Sequence, residues 1–207
     1  MIPPRDEYPA PGEDTFCEDD LAPSEFERKA LRARRIDRAA TSIAVVALGL
    51  WSGGMLSLGA CAAPMVFKLV PAPVSGYAMG AAFARFDNIA IGCGVVLLAA
   101  EMVRTWLARG HTNWLSRVRR YMAILLSGAA VYGALVLTPT INEMHASGVQ
   151  RRVGPAGEQL ERVHNNAEMI GRITVPSAML LMALHIFTIR SAEDDEELAL
   201  APLAPGG

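Results

Sequence analysis

Long uncharged stretches alternate along the chain with short charged ones, and the stretches are too long for the helices of a soluble core. Ala39 to Phe67 is a run of 29 residues without a formal charge. At 1.5 Å rise per residue it exceeds the roughly 30 Å hydrocarbon core of a bilayer, which about 20 helical residues cross. Tyr121 to Asn142 gives 22 uncharged residues and Ile173 to Ile189 gives 17. Asn88 to Ala100 is uncharged as well, and its apolar pattern reaches back through Met79–Phe83 if Arg85 and Asp87 face other helices. The pattern predicts four transmembrane helices, approximately 40–69, 77–106, 118–147 and 157–190. The fold class that follows is all-α, an integral membrane four-helix bundle over residues 40–190.

Charge divides what remains. Of 21 acidic residues, nine lie in residues 1–27 and five in residues 193–197. The seven left for everything between are too few to solvate the faces of a soluble domain. Residues 1–39 read as a tail that is acidic and Pro-rich before it turns basic, and 191–207 as a second, acidic tail. Neither tail carries enough apolar surface to order itself, so both are expected to be disordered or ordered by a partner. The basic run Arg28–Arg38, with Phe26, Ala30, Leu31, Ala33 and Ile36, allows a short amphipathic helix on an anionic leaflet. An ordinary basic flank of a first span accounts for it too.

Arginine placement orients the bundle. Arg28, Lys29, Arg32, Arg34, Arg35 and Arg38 precede the first span, and Arg104, Arg109, Arg117, Arg119 and Arg120 lie between spans two and three. The other two connections offer only Lys68 and the pair Arg151 and Arg152 close by. Both termini and the middle loop are therefore predicted to be cytoplasmic, in the cell membrane (the inner membrane if the cell is Gram-negative). Cys17, Cys61 and Cys93 form an odd, scattered set and imply no disulfide framework. Leu58-Gly59-Ala60-Cys61 resembles a lipoprotein cleavage box, but the apolar stretch before it is too long for a signal core. Pro71–Gly76 reads as a tight turn, and Gly148, Gly154, Pro155 and Gly157 mark another. Gly49 and Gly53 form a GxxxG suited to close helix packing.

Topology gathers a polar layer at the outer ends of three spans. Arg85, Asp87 and Asn88 begin the second; Thr138, Asn142, Glu143 and His145 end the third; His164, Asn165, Glu168 and Arg172 begin the fourth. His164, Glu168 and Arg172 recur at i, i+4, i+8 and share one helix face. Charge near hydrocarbon costs several kcal/mol unless it is paired or wet, so these groups are expected to face one another. They form either an ion-paired belt that fixes helix register or an ion, proton or polar-ligand site. No HxxxH or CxxC suggests a metal centre, and no metal is expected. His185 and His164 are 21 residues apart on one helix, roughly 30 Å, so they cannot be two axial ligands of one haem. A redox reading would leave one of them as a single ligand, and no cofactor is expected. CxxCH, the P-loop, GxGxxG and GxSxG are all missing, so the chain reads as non-enzymatic.

Ala63-Pro64-Met65-Val66-Phe67 resembles the P-x-x-F segment of the transmembrane-protein-205-like family, a domain of unknown function. Gly80-Ala81-Ala82-Phe83-Ala84-Arg85 is similar to its G-x-x-F-x-R, and Thr138-Pro139-Thr140-Ile141 to its x-P-x-I. Leu160 to His164 resembles its F-x-x-L-H without the Phe. The resemblance spans residues 40–190 and implies four membrane helices without an established chemistry. The reading that follows is a multi-pass accessory subunit or adaptor. Its partners are the bilayer and other membrane subunits, reached through helix faces and charged tails, with no nucleic acid. The alternative is a small transporter or ion-handling protein that uses the outer polar layer.

Overall fold

The computed structural model describes residues 24–71, 74–108 and 113–200, with side chains described through Thr188. Among these residues the structure is helical, without strands. Four helices are long and apolar enough to cross a membrane: α1 (Glu25–Leu69), α2 (Val74–Leu107), α3 (Trp114–Ala146) and α4 (Gly154–Leu200). Their cores coincide with the expected spans, but most ends lie further out. α1 begins before the basic run, and α4 keeps its helical backbone through the acidic run to Leu200. Val74 and Ser75 already belong to α2, so the first turn is shorter than the sequence implies. Residues 1–23, together with Arg109 and His111 of the middle loop, lie outside the described residues.

The chain separates into two compact units, one ending at Arg35 and one beginning at Ile36. Within the first, Ser24 caps α1. Glu27 N donates to Ser24 Oγ at 3.2 Å, and Ser24 N donates to Glu27 Oε2 at 2.7 Å. This reciprocal arrangement satisfies two backbone donors that helix formation would otherwise leave bare.

In the second unit every helix buries one stripe. Ala40, Ala44, Ala47, Leu48 and Trp51 supply it on α1; Phe86, Ala90, Cys93, Leu97 and Ala100 on α2; Ala123, Leu126 and Ala130 on α3; Ala178 and Leu181 on α4. Spacings of three and four put each set on one helix face. Alanine dominates, which lets helix backbones approach where lipid supplies no hydrophobic drive. Many other large apolar side chains point the other way, among them Val46, Val95, Leu125 and Leu180, each more than half exposed. An apolar outer surface of this kind suits a bilayer. Contacts at both ends make consecutive helices antiparallel: Asp37 of α1 meets Arg104 of α2, and farther along Gly54 of α1 lies against Phe86 of α2. The end holding Asp37 and His185 is here the terminal end, and the opposite end the hairpin end.

Two helices change geometry as they approach the hairpin end. α1 widens into a π-helical turn over Ser57–Ala62, and α3 does so over Gly133–Leu137. A proline follows each, Pro64 and Pro139. Proline brings no N–H and its ring crowds the carbonyl four residues back, so the wider turn relieves both problems without ending the helix. The α3–α4 turn is closed by residues in the left-handed region, Gly148, Arg152 and Gly154, and by Gly157, where a Cβ would stand 2.4 Å from the Gln150 carbonyl oxygen.

Candidate functional site

At the terminal end the buried stripes of all four helices run into polar residues. α1 contributes Asp37, α2 Glu101 and Arg104, α3 Arg119 and α4 His185. Each lies three or four residues beyond an apolar member of its own stripe, so the helical repeat that builds the core also builds this cluster. Glu101, Arg104, Arg119 and His185 are 2%, 7%, 6% and 0% exposed, which places four strongly polar side chains in the interior.

The cluster is one connected network. Arg104 Nε donates to Asp37 Oδ1 at 2.8 Å, and Arg104 Nη1 lies 2.9 Å from His185 Nδ1. Arg119 Nε donates to Glu101 Oε1 at 2.7 Å, and that same oxygen is 3.4 Å from His185 Nε2. The imidazole therefore sits between the two ion pairs and ties α4 to α2. Glu101 Oε2 and His185 Nε2 are buried without a hydrogen-bond partner among the described residues. Asp37, whose side chain is 40% exposed, is where the network reaches the surface. Just below, Thr41 is fully buried and donates to the Asp37 carbonyl at 2.8 Å. Two carboxylates against two guanidiniums make the set neutral when the imidazole is neutral. That balance makes it possible to house such groups in a bundle core.

The sequence reading assigns these arginines to a cytoplasmic flank and considers His185 only as a haem ligand. Here one ring nitrogen meets Arg104 and the other faces Glu101. The available signal was Glu101, a carboxylate that ends an uncharged run in an otherwise arginine-rich region, three residues before Arg104.

The outer polar residues lie at the hairpin end, where Asp87 of α2 meets Thr138 of α3, and among the described residues no ion pair across helices joins their charged groups. Arg85 and Asn88 are exposed, and Asn88 Nδ2 donates to the Ala84 carbonyl of its own helix at 3.3 Å. Asp87 is half-buried beside Thr138, and its buried Oδ2 has no hydrogen-bond partner among the described residues. Asn142 crosses to α2, packed so closely on Gly80 that a Cβ there would stand 2.1 Å from its Oδ1. His145 likewise packs on Gly76. Glu143 is exposed and lines a shallow cleft of about 360 Å³ with Tyr77, Ala81, Asn142 and Ala146. His164 is half-buried. Arg172 Nη2 donates to Glu168 Oε1 at 2.6 Å, a pair within one helix whose side chains are 76% and 49% exposed. Arg151 and Arg152 both bond Glu161, pinning the α3–α4 turn to the first turns of α4. Of the GxxxG glycines, Gly49 faces Met182 of α4, while Gly53 meets nothing within 4 Å. The close approach belongs to Gly54, where a Cβ would stand 2.2 Å from the Phe86 ring.

Among the described residues no group of three or more His, Cys, Asp or Glu side chains could hold a metal ion. Neither a curated protein nor a solved structure matches the chain. One family does: its sequence model matches residues 46–150, from the middle of α1 to the end of α3, and takes in Glu101, Arg104 and Arg119. The chain, a four-helix membrane protein, belongs to the family described as a domain of unknown function, DUF4149.

Proposed function

We propose that this protein is a non-enzymatic accessory subunit or adaptor of a larger membrane assembly, with both termini cytoplasmic. The observation that supports it is the exposed Glu168–Arg172 pair. Arg172 lies 13 residues from His185 along α4, roughly 20 Å toward the hairpin end. Exposed Trp106 and Trp114 stand close to the level of the network and suit an interfacial aromatic belt there. Measured from that level, a core of roughly 30 Å extends past Arg172. A charged pair facing lipid at such a depth is costly, whereas a neighbouring helix with polar groups would satisfy it. Arg85, exposed on α2, poses the same requirement. The transmembrane-protein-205-like motifs around Pro64, Arg85 and Pro139 belong to this reading, since they lie towards the same end.

A photo-crosslinking residue at 172 or 85, compared with lipid-facing positions 95 and 180, tests the proposal in native membranes. A discrete protein adduct at 172 or 85 and only lipid adducts at 95 and 180 is the expected result. Lipid adducts at all four positions would remove the adaptor reading. A second reading, ion or proton handling through the outer layer, draws on Asp87, whose buried Oδ2 has no partner among the described residues. An Asp87→Asn variant that keeps its fold and its assembly but loses an ion flux in vesicles would favour it.

A further inference from the structure

The terminal-end network is a second site, independent of the assembly reading, and its donors and acceptors restrict its protonation. A guanidinium carries only donors. Arg104 Nη1, 2.9 Å from His185 Nδ1, must therefore donate to it, so Nδ1 holds a lone pair and the ring proton sits on Nε2. That proton faces Glu101 Oε1 at 3.4 Å. Among the described residues the charged groups gathered around the imidazole are Asp37 on α1, Glu101 and Arg104 on α2, and Arg119 on α3. Glu101 and Arg119 pair at 2.7 Å with side chains only 3% and 7% exposed, which leaves Glu101 Oε2 free. Arg104 has a route to water, because its second partner, Asp37, is 40% exposed.

We propose that a proton and the Arg104 guanidinium compete for Nδ1 of His185, which makes this network a buried proton-binding site coupled to helix contact. A hydronium ion gives its proton to Nδ1: its O–H bond breaks, an N–H bond forms and a water molecule leaves. The Nη1–H···Nδ1 hydrogen bond is lost in the exchange. The imidazolium would then be a third cation beside Arg104 and Arg119, so Arg104, which has the exposed partner, leaves His185 and swings with Asp37 toward the surface. The imidazolium that remains faces the carboxylate of Glu101, whose Oε2 has a free lone pair to accept from it. Binding the proton thus exchanges an α2–α4 tie through Arg104 for one through Glu101, and it frees a guanidinium at the membrane edge.

The test uses the full chain in nanodiscs with nitrogen-15 histidine and arginine, and a His185→Gln sample to identify this ring among the four histidines. At neutral pH His185 should show an unprotonated Nδ1 and a protonated Nε2. On acidification the second proton should appear at Nδ1 together with a severalfold faster solvent exchange of the Arg104 Nη protons. In Arg104→Met the ring should take its second proton at less acidic pH than in wild type, and Arg104→Lys, which restores a donor, should move that point back. A protonated Nδ1 in wild type at neutral pH overturns the proposal, and this result needs no variant to fold. So does a second proton at Nδ1 with Arg104 exchange unchanged, or an Arg104→Met chain that titrates as wild type.

Discussion

Removing either partner of the Glu101–Arg119 pair should destabilise the bundle far more than removing both. The nitrogen and oxygen are 2.7 Å apart, and the two side chains are 3% and 7% exposed. At an effective dielectric of about 20, two unit charges at that separation attract by about 6 kcal/mol. Desolvating both groups costs several kcal/mol each, so the intact pair contributes little net stability. A single deletion changes the balance, because the surviving charge keeps its desolvation cost and loses its attraction. Arg119→Leu leaves Glu101 with only His185 Nε2 at 3.4 Å, and Glu101→Leu leaves Arg119 with no hydrogen-bond acceptor in the network. Each should cost about 3–5 kcal/mol. The double Leu variant keeps the Asp37–Arg104 pair and a neutral interior, and it should recover at least about 2 kcal/mol relative to either single one. Equilibrium unfolding by SDS titration in mixed micelles measures all four corners of the cycle. If the two single losses add in the double variant, the groups do not hold each other and the argument from burial fails.

Three further outcomes follow from the geometry. Glu168→Gln and Arg172→Gln should each lower stability in the same assay by more than the double Gln variant does, because either charge alone would face the apolar phase without its partner. Gly54→Ala should cost about 1–3 kcal/mol, since its Cβ meets the buried Phe86 ring. Gly80→Ala should cost less, because half-buried Asn142 can turn aside, and Gly53→Ala should be nearly neutral; thermal unfolding in detergent ranks the three. In a cysteine-free background, a cysteine at exposed Ser147 should react with an impermeant reagent from outside the cell and one at Asn113 should not; the reverse would invert the bundle.

What the sequence could disclose tracks the physics of each feature. The spans were legible because uncharged length is a property of consecutive residues. The capping box Ser24-Glu25-Phe26-Glu27 is equally local, but the reading of a short amphipathic helix over the basic run did not use it to mark that helix's start. The terminal-end network was harder, since Asp37, Arg104, Arg119 and His185 are brought together only by the packing of four helices. An arginine that neutralises a buried carboxylate and one that marks the cytoplasmic side look the same in one dimension. The outer polar residues were gathered by topology alone, which fixes depth but not the direction each side chain takes. That is why Arg172 pairs along its own helix with Glu168 rather than across to α2 or α3.

The π-helical turn in α3 has a consequence for phase. A turn of this kind holds one residue more than an α-helical turn, so everything beyond it is rotated by about 100° relative to an unbroken helix. Counting in threes and fours from buried Ala130 on an uninterrupted helix would point Ile141 and Met144 at α2. Instead Asn142 and His145 are the residues that settle on Gly80 and Gly76. The extra residue in Gly133–Leu137 is thus what turns a polar edge of α3 toward its neighbour. Deleting one residue there would leave composition and length almost unchanged while presenting an apolar edge to the two glycines.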